Sequence, residues 1–109
     1  MRSSTAEIGT PLATGVEVTE DTLSVELADG RTIAAPLAWY PRLAHATAAE
    51  RKNWRLIAAG RGIHWPAVDE DISVDNLLAG RASGESQSSF KKWLASRANP
   101  KRGRKRPET

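Results

Sequence analysis

The sequence predicts a small α+β domain in which an antiparallel β meander packs against one main helix. Three patterns carry this prediction: apolar and polar residues alternate over 16–28, a helical pattern follows over 48–60, and turn residues separate the two. With 109 residues and no cysteine, the chain has room for one domain without disulfide cross-links. We therefore expect a single apolar core between the meander and the helix.

Residues 16–36 are predicted to form the three main strands. Their apolar residues recur at every second position, the period of a strand with one buried face: Val16, Val18, Leu23, Val25 and Leu27. The Asp-Gly pair at 29–30 is a strong hairpin signal, because glycine tolerates the positive φ of such turns. The third strand runs over 31–35, and Pro36 should end it or lie at a sheet edge, since proline has no amide hydrogen to donate.

The main helix is predicted over residues 48–60. Thr47 can cap its first turn while Glu50 returns the hydrogen bond, which is the pattern of a capping box. Trp54 and Ile57 follow at helical spacing, and a glycine at the end of the segment can stop the helix in the left-handed conformation. We expect the apolar side of this helix to cover the meander.

Shorter elements flank the main helix. The connector over 37–43 contains a proline, which favours a tight turn or a single-turn helix. The β-prone residues 63–65 and their neighbours predict one or two short strands. Ser73 can then cap a short second helix that ends at Gly80. The predicted fold thus has a three-stranded meander, one or two short strands and two helices, followed by an appended C-terminal helix.

Charge divides the chain unevenly. The whole chain has a formal net charge of +3, yet residues 16–80 carry six basic and ten acidic side chains, a net charge of −4. Residues 97–109 carry six basic side chains and one acidic one, a net charge of +5. We expect residues 1–15 to be a flexible lead-in, 16–80 the single domain, 81–96 an appended amphipathic helix and 97–109 a disordered basic tail. Any charge-driven binding of nucleic acid is therefore expected from the tail alone.

Composition also narrows the classes of function. The only histidines are His45 and His64, and cysteine is absent, so we expect no metal site and no other cofactor. Apolar runs fall far short of the roughly 20 residues that a membrane-spanning helix needs. The first 15 residues lack the apolar block of a secretory signal, so the expected location is the cytoplasm.

One histidine and three neighbouring acids form the pattern closest to a catalytic site. His64 could act as a general base, and the carboxylates could bind Mg²⁺: Asp69, Glu70 and Asp71. If Ile63 and Trp65 face the core, however, His64 faces outward on a strand, and no serine or cysteine lies beside it as a nucleophile. We expect a structural histidine, a solvated acidic loop and no catalytic residue.

Aromatic and arginine side chains indicate two segments that could bind a protein partner. An exposed aromatic residue beside an arginine is typical of protein interfaces. Such residues occur in the connector and in the last helix: Trp39, Tyr40, Arg42, Phe90 and Trp93. The last helix presents Phe90, Trp93 and Leu94 on one face, which could pack on the domain or insert into a partner's groove. Trp54 and Trp65 are expected in the core.

Five blocks of sequence occur in a fixed order: LADGR at 27–31, PLAWYPRL at 36–43, RKNW at 51–54, GIHWP at 62–66 and DEDISVDNLLAG at 69–80. Together they resemble the bacterial family called domain of unknown function 2442. The resemblance implies a small α+β module that occurs alone or joined to a helix-turn-helix domain. It also implies a gene encoded beside another small protein, in a toxin–antitoxin-like arrangement. It implies no catalytic residue.

These observations favour a non-enzymatic protein-interaction module, the antitoxin-like or regulatory half of a two-gene pair. Its partner would be the neighbouring gene product, and unpaired sheet edges also allow association between copies of the chain. The alternative is a nucleic-acid accessory protein that binds phosphates without sequence preference through basic residues near the C-terminus. Those residues are Arg97, Lys101, Arg102, Arg104, Lys105 and Arg106. The least favoured alternative is an enzyme that uses His64.

Overall fold

The computed structural model describes residues 10–98, which form an α+β fold with two three-stranded antiparallel sheets. The first sheet contains β1 (Ala13–Val18), β2 (Thr22–Leu27) and β3 (Thr32–Pro36). The second contains β4 (Arg55–Ile57), β5 (Gly62–Trp65) and β6 (Glu70–Ser73). Each sheet is a meander, because strands adjacent in the chain are adjacent in the sheet. Most of the predicted lead-in and most of the predicted tail lie outside the described residues.

Short helices connect the sheets, and a longer one ends the described chain. They are a 3₁₀ turn (Leu37–Trp39), α1 (Pro41–Ala44), α2 (Ala48–Lys52), α3 (Val74–Ala79) and α4 (Gln87–Ala98). The predicted single-turn helix in the connector is confirmed. The predicted cap of the second short helix is also confirmed, because the Ser73 hydroxyl accepts a hydrogen bond from the amide of Asn76 and Gly80 ends α3 with a φ of 73°.

The first sheet follows the period-two pattern of its sequence. The side chains of Leu23, Val25 and Leu27 are all buried on the core side of β2. Gly30 adopts a φ of 96° in the predicted hairpin between β2 and β3. Strand β3 ends at Pro36 on the edge of the sheet, where the missing amide hydrogen breaks no ladder. This part of the fold prediction is confirmed, with β1 beginning at Ala13.

The predicted main helix over 48–60 is wrong. The capping box of Thr47 and Glu50 is present, but α2 ends at Lys52 and the chain leaves the helical conformation at Asn53. Residues 55–57 instead pair with 62–64 as the first two strands of the second sheet. A short apolar run fits either period, and here strand pairing provides hydrogen-bond partners on both sides of a tight turn.

The turn between β4 and β5, within the second sheet, packs against the start of β1 in the first sheet. Ala58, Ala59 and Gly60 all have positive φ, with values of 52°, 58° and 94°. A side chain at Gly60 would lie 3.1 Å from Cβ of Leu12 and 3.3 Å from the carbonyl oxygen of Ala13. The turn can therefore pack directly on the start of β1 only because this residue is glycine.

Both sheets contribute to one apolar core. Trp65 has no exposed surface, and its indole nitrogen donates a hydrogen bond to the carbonyl oxygen of Arg51 at 3.1 Å. Its strand neighbour Ile63 is equally buried, as expected if His64 faces outward. Trp54, which was also expected in the core, is half-buried against it. The core therefore combines side chains of both sheets and of the short helices, whereas the sequence predicted a core between one sheet and a helix.

Candidate protein-interaction site

The connector and the C-terminal segment meet along one side of the domain. Residues 81–86 have no regular structure and run beside the connector. The amide of Ser83 donates to the carbonyl oxygen of Trp39 at 3.0 Å, and the hydroxyl of Tyr40 donates to the carbonyl oxygen of Arg81 at 3.4 Å. Because the segment follows this path, α4 lies against the surface formed by α1 and α2.

Arg42 is the central side chain of this contact. Its Nε lies 3.0 Å from each carboxylate oxygen of Glu85, and its Nη2 lies 2.7 Å from Glu85 Oε2. Its Nη1 donates to the carbonyl oxygen of Val68 at 3.1 Å. The side chains of Arg42 and Glu85 are only 17% and 12% exposed, so water screens the pair weakly. Pairing with Arg42 also lowers the pKa of Glu85.

The indole ring of Trp93 in α4 contacts two guanidinium groups. Cζ of Arg42 is 5.2 Å from the centre of the indole ring, and Cζ of Arg97 is 4.7 Å from it. Both distances are within the range in which a cation is attracted to the aromatic face. The ring of Phe90 stacks on Trp93 with centroids 5.8 Å apart, and its other neighbour is His45 at 5.1 Å in an edge arrangement.

A second ion pair fixes the end of α4. The guanidinium of Arg97 donates to the two carboxylate oxygens of Glu50 at 2.8 and 3.2 Å. These hydrogen bonds lower the pKa of Glu50, and so does the bond that Glu50 accepts from the amide of Thr47. Arg97 had been assigned to the disordered tail, but the structure places it in the last turn of α4. We call the contact formed by Arg42, His45, Glu50, Glu85 and the α4 side chains the C-terminal joint.

The side chains of the C-terminal joint are less completely buried than those of the core. No side chain of α4 is fully buried. Phe90, Trp93, Leu94 and Arg97 are half-buried on one face, as predicted for the aromatic stripe, whereas Lys91 and Lys92 on the other face are exposed. Contacts of cations, carboxylates and aromatic rings therefore hold α4, together with partial burial of its apolar side chains.

Glu70 is a buried carboxyl group next to the joint. It is 9% exposed, and no donor among residues 10–98 forms a hydrogen bond with its side chain. Burial, reinforced by the charge of Glu85, raises the pKa of Glu70 to about 7. The prediction of a solvated loop over 69–71 is wrong at this position, because β6 begins at Glu70 and turns this side chain inward.

His64, the residue on which the catalytic alternative depends, lies beside Asp71. The two residues face each other on β5 and β6, and His64 Nδ1 contacts a carboxylate oxygen of Asp71. The Asp71 side chain is 66% exposed, so the pair lies on an open strand face. Within residues 10–98, no hydroxyl group forms a hydrogen bond with His64. The geometry is that of a cross-strand polar pair, without a positioned nucleophile.

Of the five residues predicted to bind a partner, Arg42, Phe90 and Trp93 contact one another within the chain. The other two, Trp39 and Tyr40, form hydrogen bonds with the segment 81–83. Tyr40 is 3% exposed, and Trp39 is half-buried against the core. Sequence reasoning missed three partners in the joint: His45, Glu50 and Glu85. The capping-box pattern explained Glu50 fully, so nothing in the sequence signalled its second contact. Of the predicted tail residues, those over 101–106 lie outside the described residues.

Two general properties accompany this geometry. Across residues 10–98, no group of three or more histidine or acidic side chains could hold a metal ion. In the same part of the chain, no helix is both long enough and apolar enough to cross a membrane.

The chain matches a family model and one solved structure. The family is described as "Protein of unknown function (DUF2442)", and residues 13–83 match its model. A crystal structure of a protein of unknown function from Rhodospirillum rubrum is similar in fold, with a TM-score of 0.61 and 24% sequence identity. The similarity covers 75% of this chain and 99% of that one. No curated protein matches the chain. The matched region ends before α4, so the match does not extend to the helical half of the joint.

Proposed function

Because the chain belongs to the DUF2442 family of proteins of unknown function, we propose from its structure that it is a protein-interaction module without catalytic activity. It acts as the antitoxin-like or regulatory half of a two-gene pair. The observation that carries the proposal is the C-terminal joint, in which a surface of the domain holds a helix through aromatic, arginine and carboxylate side chains.

The composition of the joint supports this function. Arginine and aromatic residues supply much of the binding energy in protein interfaces, where they are enriched. Here Arg42 contacts an indole face, a carboxylate and a backbone carbonyl group at the same time. Such a surface recognises a polypeptide segment by charge and shape. The open position of His64 and Asp71 offers no comparable support for catalysis.

Co-expression with the product of the adjacent gene tests the proposal. We expect the two proteins to elute together in size-exclusion chromatography at micromolar concentration. Arg42→Ala should separate them, because the variant removes the central cation of the surface. Arg31→Ala serves as the matched control, since within residues 10–98 Arg31 pairs only with the exposed Asp29 of its own hairpin. Separate elution of the wild-type proteins would contradict the proposal.

Binding of nucleic acid through the C-terminus is the second candidate. Lys91 and Lys92 are exposed on α4, which leads into the basic residues over 101–106. Phosphate neutralisation by such residues gives affinity without sequence preference and a steep dependence on salt. Deleting residues 99–109 should abolish binding to a random duplex and flatten its salt dependence. Unchanged binding after the deletion would reject this function for the tail.

A further inference from the structure

The joint also indicates which kind of partner the domain accepts. We propose that the surface formed by Arg42, His45 and Glu50, here called the receptor surface, binds an amphipathic helix of the partner protein in place of α4. That helix carries two aromatic side chains three positions apart and a cation four positions later. The pattern is the one that α4 presents: Phe90, Trp93 and Arg97. The inference rests on the proposed function and specifies its partner.

Each residue of the receptor surface matches one feature of the bound helix. The guanidinium of Arg42 covers the indole ring, His45 meets the edge of the second aromatic ring, and the carboxylate of Glu50 takes the cation. Residues spaced by three and four positions share one face of a helix. A helical segment is therefore the conformation that satisfies all three contacts at once.

The receptor surface keeps its shape when α4 leaves. Arg42 remains bonded to the carbonyl oxygen of Val68, which belongs to the turn between β5 and β6. Glu50 remains bonded to the amide of Thr47 as part of the α2 cap. Neither contact involves α4, so an incoming helix finds both charged side chains already positioned. Binding then costs little ordering of the receptor.

α4 acts as a tethered competitor at this surface. It is joined to the domain by the short segment 81–86, and a ligand on a short tether acts at an effective concentration on the order of millimolar. A partner helix must bind more strongly than α4 to replace it. Since no α4 side chain is fully buried, a helix with deeper apolar contacts can do so.

A synthetic peptide of residues 86–98, labelled with fluorescein, provides the direct test. It is titrated into the full-length chain and into the Phe90→Ala/Trp93→Ala variant, whose own helix has lost its anchors. Fluorescence anisotropy should give a dissociation constant at least about tenfold lower for the variant, because its receptor surface is free. Cooperative thermal unfolding of the variant verifies that its core is intact.

Two changes separate recognition from nonspecific adsorption. A peptide that carries Trp93→Ala should lose the affinity, and adding Glu50→Gln to the protein variant should weaken it. Adding Arg31→Ala, which lies away from the joint, should leave the affinity unchanged.

Three results would overturn the inference. The first is equal binding of the two peptides, and the second is equal affinity of the variant and the wild-type chain. The third is a wild-type dimer that the peptide dissociates in light scattering, which would make the occupant α4 of a second copy. If the inference fails while the adjacent gene product still co-elutes, the proposed function stands and the partner binds elsewhere.

Discussion

Two tryptophans show how differently the two halves of this molecule are held. Trp65 has no exposed surface and packs in the core that the two sheets share, with its indole nitrogen bonded to the backbone. Trp93 is half-buried, and its indole ring contacts the guanidinium groups of Arg42 and Arg97. Apolar burial therefore stabilises the two-sheet domain, whereas charge and aromatic contact hold the C-terminal helix. We therefore expect that the helix detaches while the domain stays folded.

Truncation of each tryptophan should give the largest difference in stability between the two regions. Trp65→Ala leaves a large cavity and should lower the free energy of unfolding by about 3 to 5 kcal/mol. Trp93→Ala, the matched variant, should lower it by about 1 kcal/mol, because that side chain is only partly removed from water. Urea unfolding monitored by circular dichroism measures both values. Equal losses would mean that the two regions form one core.

Removal of the Arg42 side chain should have the next largest effect. Arg42→Ala leaves the carboxylate of Glu85 and the carbonyl group of Val68 without their cation, at a cost of about 2 to 3 kcal/mol. It should also expose α4 to trypsin at Lys91 and Lys92. Digestion followed by mass spectrometry measures the release. Arg31→Ala, whose ion pair is 58% and 40% exposed, should change neither stability nor digestion.

Glu70→Gln should stabilise the protein in a manner that depends on pH. The folded protein raises the pKa of Glu70 from 4.5 to about 7, so folding favours the protonated carboxyl group. The native state therefore loses stability as the pH rises from about 4.5 through 7, and this penalty is complete above both pKa values. The variant should match the wild type at about pH 4 and exceed its stability by about 2 kcal/mol at about pH 8. The full pKa difference corresponds to about 3 kcal/mol, and residual access of water to the carboxyl group reduces this value.

Unfolding free energies at several pH values test this prediction. Glu26→Gln provides the background, since Glu26 is exposed on the outer face of the first sheet. If the unfolding free energies of Glu70→Gln and the wild type depended on pH in the same way, the Glu70 carboxyl group would not be shielded from water.

Loss of a helix cap should give the smallest effect. Ser73→Ala removes the acceptor for the amide of Asn76 at the start of α3 and should cost about 1 kcal/mol. Ser73→Asp keeps an acceptor at that position and should restore most of the loss. Because α3 belongs to the domain, neither variant should change the tryptic cleavage of α4. Altered cleavage would indicate that the two regions are coupled.

The sequence predicted the first sheet well because its signals are local. Period-two alternation, the Asp-Gly turn and the proline at the end of β3 each act within a few residues. The second sheet was missed because the residues of β4 also fit helical spacing. What decides between them is pairing of 55–57 with 62–64 and close packing of Gly60 on the start of β1. Both depend on tertiary contacts that a pattern cannot contain.

The joint was predictable only in part, for the same reason. An aromatic stripe on a helix is visible as spacing, and Phe90 and Trp93 were found that way. Their charged partners are distant in sequence: 43 positions separate Arg42 from Glu85, and 47 separate Glu50 from Arg97. Burial of Glu70 was missed for a similar reason. An acidic run such as 69–71 is typical of an exposed loop, whereas β6 begins at Glu70 and directs its side chain inward.

Hydrogen exchange at the two regions tests most directly whether α4 is held separately from the domain. Amide exchange of residues 90–98 and 22–27 is compared at low salt and in about 1 M sodium chloride, where charges are screened beyond about 3 Å. We predict that α4 exchanges much faster than β2 at both salt concentrations, with a small further increase at high salt because its ion pairs are partly buried, while β2 keeps its protection. Equal, salt-independent protection of α4 and β2 would contradict the account.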